Sequence, residues 1–201
     1  MSACDAIGSF TEDDEDAPEV EIGQFEMALS GALQDTLSGL AVFSTTTKEH
    51  PDTGEEVTLF GLAFMPDSAD AFASDAASSK TAPQTWFASQ IVRVSDRPDD
   101  GEYAFAQIDK NSFPDDIWSF PEEGFAFSFQ TEDTVRSAVV ASQSGTLNIT
   151  NSTSATLSGR FEVETAGLVH VYSASDRPSE GTITIEGEFK ALGGALPEGT
   201  F

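Results

Sequence analysis

From residue 19 onward, hydrophobic and polar positions alternate along the chain. Phe25, Met27 and Leu29 are separated by Glu26 and Ala28, and Phe125, Phe127 and Phe129 by Ala126 and Ser128. Leu157, Phe161 and Val163 alternate with Ser158, Arg160, Glu162 and Glu164; Ile183, Ile185 and Phe189 alternate with Thr184, Glu186 and Glu188. A period of two sends successive side chains to opposite faces, so each run predicts an antiparallel strand with one face in a core and the other in water. Further strands are predicted over 37–46, 56–64, 86–94, 102–108, 136–142, 145–150 and 168–173. About ten or eleven short strands at this spacing define an all-β fold, an antiparallel β-sandwich or a flattened β-barrel. Residues 19–201 are read as one such domain, with the apolar residues named above buried and Glu162, Glu164, Glu186 and Glu188 facing water.

Two segments depart from simple alternation. Residues 37–43 carry Leu37, Leu40, Ala41, Val42 and Phe43, and 57–64 carry Val57, Leu59, Phe60, Leu62 and Phe64. Strands apolar on both faces are either covered on both sides or line a cavity. Helix is scarce: only 67–80, rich in Ala, Ser and Asp, reads as a short helix or a surface loop. The pattern T-L-x-G recurs at Thr36–Gly39, Thr58–Gly61 and Thr156–Gly159, with Gly187 in a comparable place. Glycine inside a strand marks a bulge, a bend or the close approach of another group, and here strands that bend to curl a sheet are preferred over contact with a ligand. Ser95-Asp96-Arg97-Pro98 recurs as Ser175-Asp176-Arg177-Pro178, followed by Gly101 and Gly181 respectively. Each is read as a hairpin loop in which Pro fixes φ and Gly supplies a positive φ.

Composition narrows the partners. The 201 residues hold 35 Asp and Glu against 9 Lys and Arg, a net charge of −26. Such a chain repels phosphates and anionic lipid surfaces, so nucleic acid is disfavoured. Three explanations of the acidity remain: a carboxylate surface kept hydrated in concentrated salt, calcium sites, or a merely acidic secreted protein. The acids are spread along the whole chain, only Lys48, Lys80, Lys110 and Lys190 are lysines, and no D-x-[DN]-x-[DN]-G loop is present, which favours the first. Residues 1–18, with the run Glu12-Asp13-Asp14-Glu15-Asp16, are read as an acidic flexible tether, because adjacent like charges repel and do not pack. The 16 Phe outnumber 2 Trp and 2 Tyr; having no polar atom, most of these rings belong in a core. Cys4 is alone, so no intramolecular disulfide forms.

Chemistry leaves little signature. Nucleophile-elbow, P-loop, dinucleotide, zinc-protease and C-x-x-C motifs are all missing, so no catalytic residue, metal or cofactor is assigned and the chain is read as a non-enzyme. His50 falls in a predicted turn and His170 in a strand, both structural readings. Adjacent acids such as Asp99-Asp100, Asp115-Asp116 and Glu122-Glu123 are expected by chance in so acidic a chain. The segment Phe113–Gly124 is aromatic, acidic and bounded by prolines, and Trp118 and Phe120 on it either stack on a ligand or plug the β-core. Trp86, with Phe87, lies in a predicted strand. Asn148-Ile149-Thr150 and Asn151-Ser152-Thr153 match the glycosylation sequon, which matters only in a eukaryotic secretory route.

The stretch Gly145-Thr146-Leu147-Asn148-Ile149-Thr150, then Leu157-Ser158-Gly159-Arg160-Phe161-Glu162-Val163, closed by Gly181-Thr182-Ile183-Thr184-Ile185-Glu186-Gly187-Glu188-Phe189, resembles the C-terminal half of small Bacteroidota-type envelope lipoproteins of unknown function. The resemblance spans 145–189. It implies a β-sandwich or lipocalin-like domain in the bacterial cell envelope, at the outer membrane or cell surface, otherwise secreted. Cys4 after Ser2-Ala3 is similar to a lipobox end, which makes Cys4 the candidate lipid attachment to the membrane, and the acidic run resembles a surface-export tether. The expected function is a non-catalytic binding module for a small apolar ligand or a glycan, with Trp118, Phe120, Trp86 and Phe60 as candidate ligand contacts. The alternative is a structural or adhesive surface lipoprotein with a closed core.

Self-repulsion at −26 predicts a melting temperature that climbs with KCl into the molar range as screening relieves it. Thermal melts across a KCl series check this: a flat curve removes the high-salt explanation, and a steep response to millimolar CaCl₂ alone favours calcium.

Overall fold

The computed structural model describes residues 18–66, 86–94, 96–109, 124–133, 136–171 and 178–195. They form nine strands and no helix: β1 (Gln24–Gly31), β2 (Asp35–Glu49), β3 (Glu56–Pro66), β4 (Trp86–Arg93), β5 (Gly101–Ala104), β6 (Ala126–Glu132), β7 (Arg136–Ser152), β8 (Thr156–Val171) and β9 (Ser179–Gly193). The candidate helix at 67–80 and the leader up to residue 17 lie outside the described residues.

The sheet closes on itself. Its order β7-β6-β4-β3-β2-β1-β9-β8, together with the β7–β8 pairing, makes an eight-stranded antiparallel barrel, with β5 added along the distal half of β7. Neighbouring strands are neighbours in sequence except where β5 intervenes and where the first strand, β1, meets the last, β9, to close the barrel, which is the up-and-down arrangement. Of the two architectures open to the sequence, the barrel is the one formed. Closure pairs each of the eight barrel strands with a neighbour on both sides, which removes the two open edges of a flat sheet.

The alternation holds in β1, β6, β8 and β9. Phe25, Met27, Leu29, Phe127, Leu157, Phe161, Val163, Ile183, Ile185 and Phe189 are all buried, while Glu162, Glu164 and Glu186 are exposed and Glu188 is half-buried. Phenylalanine fills the lumen. Phe64 lies 5.0 Å from Phe25, 5.5 Å from Phe161 and 5.6 Å from Phe189 between ring centroids, and Phe161 continues to Phe127, which meets Phe105. A second chain of rings runs Phe43, Phe60, Phe125, Tyr103 towards the end where the β2–β3 and β7–β8 hairpins turn. Offset and edge-to-face contacts of this kind add to the burial energy of each ring.

Two glycines show why bare backbone is needed. A Cβ on Gly39 would lie 2.1 Å from the Met65 carbonyl oxygen across β3, and one on Gly159 would lie 2.3 Å from that of Asn148 across β7. Gly187 leaves room for the Phe161 ring. In each case the missing side chain admits the protein's own atoms, as the curled-sheet reading expects.

Several expectations are corrected. The segments 136–142 and 145–150 are one strand, β7, interrupted by a bulge between Ser142 and Ser144. The inserted residue is Gln143, whose side-chain amide donates to the Ile108 carbonyl at 3.0 Å, while Ser142 Oγ donates to Ala106 O at 2.7 Å. These bonds hold 105–108 between β7 and the start of β6, with Phe105 turned into the lumen and Ile108 packed outside it on Val92, Ala126 and Ala141. The extra residue was invisible to pattern reading because both halves alternate correctly. The loop through Asp96–Asp100 is not a hairpin, since β4 and β5 do not pair; it carries the chain to the edge of β7. Gly101 has φ of 149°, whereas Gly181 is an ordinary strand residue opposite Gly167. Both-face burial holds for β3, where Leu59 and Ala63 are as buried as Phe60 and Phe64, but not for β2, whose Leu40 is 40% exposed.

At the end where the β1–β2 and β6–β7 hairpins turn, Arg136 ties the two together. Its guanidinium pairs with Asp133 Oδ2 at 2.8 Å and with Asp35 across the barrel mouth. Burial opposes the charge, yet hydrogen bonds to both carboxylates outweigh it and raise the Arg136 pKa. A raised folded-state pKa gives stability that is complete below the unfolded value and lost only as pH climbs through the folded one, beyond the alkaline range usually studied. Arg136→Met is therefore expected to cost about 1–2 kcal/mol, discounted for partial exposure. The difference in urea midpoint from the parent should stay constant between pH 7 and 10.

Candidate functional site

The strands bring four glutamates onto one outer surface. Register aligns Glu26, Glu188, Arg160 and Asn148 across β1, β9, β8 and β7, and the next row aligns Ala28, Glu186, Glu162 and Thr146. Together with Glu19 they line an open groove of about 550 Å³. Each residue points outward for the reason its neighbours point inward: Met27, Leu147, Phe161, Ile185 and Phe189 occupy the lumen.

Glu188 is the best-held acid of the groove. Arg160 Nε donates to its Oε2 at 3.3 Å, and the Glu19 backbone N–H donates to its Oε1 at 3.0 Å. Glu26 sits opposite Glu188, and Glu186 opposite Glu162, so two like-charged pairs face each other directly. Cross-strand neighbours of the same sign repel. The groove offers hydrogen-bond acceptors, one guanidinium, one amide and one hydroxyl, and no nucleophile beside a base. Among the described residues no group of three or more His, Cys, Asp or Glu could hold a metal ion.

The residues predicted to contact a ligand lie apart from this groove. Phe60 is fully buried, its ring 6.2 Å from those of Phe43 and Phe125. It pairs with Arg93, the last residue of β4, whereas Trp86 is the first and pairs with Glu132. Seven steps of strand separate the two ends, roughly 23 Å, so Phe60 and Trp86 belong to opposite ends of the barrel. Trp118, Phe120 and Cys4 lie outside the described residues. His50 opens the β2–β3 turn, where its Nδ1 accepts from the Asp52 backbone at 3.2 Å, and His170 lies opposite Ser137 in β8, towards the other end. The two histidines therefore share no site.

Pattern reading identified Glu162, Glu186 and Glu188 as outward-facing but not as neighbours, because register across four strands is not written in any one of them. It also passed over Arg93. The signal was there: in Ser89-x-Ile91-x-Arg93, the inward positions of β4 end on a charge.

Comparison of the chain with protein-family models, with curated proteins and with solved structures finds no match. The class defined by the fold is an up-and-down antiparallel β-barrel with a filled interior.

Removing one charge from a repelling pair tests the groove's electrostatics. Glu162→Gln should raise the melting temperature by roughly 1–3 °C at low salt, and the gain should vanish in molar KCl. Arg160→Gln should lower it, since Glu188 then loses its cation and keeps only the Glu19 N–H. Differential scanning calorimetry at two salt concentrations reads both.

Proposed function

We propose that the chain is a non-catalytic structural or adhesive module of the bacterial cell envelope. The observation that supports this reading is the filled lumen. Eight-stranded barrels are just wide enough either to be packed by their own side chains or to hold one small ligand. Here Phe25, Phe64, Phe127, Phe161 and Phe189 occupy the middle of the barrel in mutual contact. A small apolar ligand in the lumen would have to displace them.

Attachment through an acylated Cys4, with residues 5–18 as an acidic spacer, suits such a role, and a carboxylate-rich outer face suits concentrated salt. Both rest on the sequence pattern and the lipoprotein resemblance. A second reading is favoured by the outer groove: its carboxylates with Asn148, Thr146 and Arg160 are the kind of polar set that binds sugar hydroxyls, which moves a glycan site from the lumen to the surface of β1, β9, β8 and β7.

A cavity-forming substitution separates closed core from ligand pocket. Phe64→Ala should cost about 3–5 kcal/mol and create a site for a small aromatic probe such as benzene or indole, as engineered apolar cavities do. The parent protein should show no saturable binding of these probes by calorimetry. One equivalent bound by the parent would replace the structural reading with a lumenal binding protein. Saturable chemical-shift changes at Asn148 and Thr146 on adding oligosaccharides would favour the groove.

A further inference from the structure

Arg93 puts a charge at an inward position of the barrel. In β4, Ser89 and Ile91 are buried on the lumenal side, and the same parity turns Arg93 inward, level with Phe60 on β3. Its guanidinium carbon lies 5.4 Å from the Tyr103 ring centroid and 5.5 Å from that of Phe125. Its Nε is buried and has no hydrogen-bond partner among the described residues. Aromatic faces stabilise a cation, but they leave a directed N–H donor unanswered, and a buried unanswered donor is costly.

The carboxylate inventory sharpens the point. The chain has 35 acids for 9 bases. Arg136 and Arg160 each meet a carboxylate, whereas Arg93 meets none among the described residues. A long flexible cation at a barrel end is free to turn towards water; this one lies against two rings instead.

We propose that Arg93 anchors an anion site at this mouth of the barrel, fitted to the carboxylate of a small organic acid. The planar guanidinium fork matches two carboxylate oxygens, and Tyr103 and Phe125 flank the first carbons of the acid. One guanidinium supplies one positive charge, which suits a monoanion. The basic residue next along the chain, Arg97, directs its Nε to Ser152 Oγ at 3.1 Å. A net charge of −26 disfavours each further negative charge on the ligand. Phe125 is buried, whereas Tyr103 is half-buried on the four-residue strand β5, so Tyr103 is the ring that yields to admit the acid.

The test uses the full chain labelled with ¹⁵N, in a constant molar KCl background that screens the net charge. Sodium butyrate is titrated while the Arg93 Nε–H resonance, assigned by its loss in Arg93→Lys, is followed. The expected result is a saturable shift of that resonance and a rise in melting temperature, with affinity at least tenfold weaker in Arg93→Met. Butyramide, the neutral isostere, should give neither effect. Equal responses in the parent and Arg93→Met, or a parent resonance that does not move, would overturn the site. Tighter binding of inorganic phosphate than of butyrate would overturn the assignment to carboxylates. If Arg93→Met fails to fold, Arg93→Lys, which keeps the charge and loses the fork, takes its place and should bind at least tenfold more weakly than the parent.

Discussion

An eight-stranded barrel sets a fixed interior, and every strand must contribute side chains that together fill it without a void or a clash. This chain meets the constraint largely with one residue type. Phe is large, apolar and free of polar atoms, so it fills volume without asking for a hydrogen-bond partner. The rings from β1, β3, β6, β8 and β9 meet near the barrel axis at Phe64 and Phe161. Small residues then appear where rings and strands come closest: Gly187 beneath Phe161, Gly39 and Gly159 where neighbouring backbones converge. Large and small positions are two sides of the same packing requirement.

The two ends of the barrel are finished differently, and the difference follows from charge. At one end Arg136 lies between Asp133 and Asp35, a polar clasp in which one cation is shared by two carboxylates. At the other, Arg93 rests on Tyr103 and Phe125 with no carboxylate beside it among the described residues. Between them the outer surface carries glutamates in register, of which Glu188 is held by Arg160 and the pair Glu186 and Glu162 is left facing itself. The scarce cations thus decide which parts of an acidic shell are electrostatically satisfied. Placed inward, Arg93 does nothing to relieve the outer repulsion, which is what makes its position informative.

The path of the chain between β4 and β6 is the least regular part of the barrel. Among the described residues β5 pairs with β7 alone, and 105–108 then runs between β7 and the start of β6, held by Ser142 and Gln143 at the bulge. A bulge bends its strand and increases its twist. Here it also provides the polar atoms that anchor this segment, and Ile108 covers Val92, Ala126 and Ala141, which would otherwise be apolar and outward-facing.

The sequence by itself determined the all-β class, the strand faces and the identity of the core, because alternation is a local property: Phe25, Phe127, Phe161 and Ile185 each declare their side within three or four residues. It determined the acidity and the abundance of Phe, and hence a repelling surface over an aromatic interior. Only the tertiary structure decided that the sheet closes into a barrel, that β7 is a single bulged strand, and that Glu26, Glu162, Glu186 and Glu188 share one groove. It likewise decided that Phe60 and Trp86 stand at opposite ends and that Arg93 faces inward beside two rings. These depend on register between strands far apart in the chain. Register is fixed by the simultaneous fit of all eight inner faces around one interior, and no single strand carries that information.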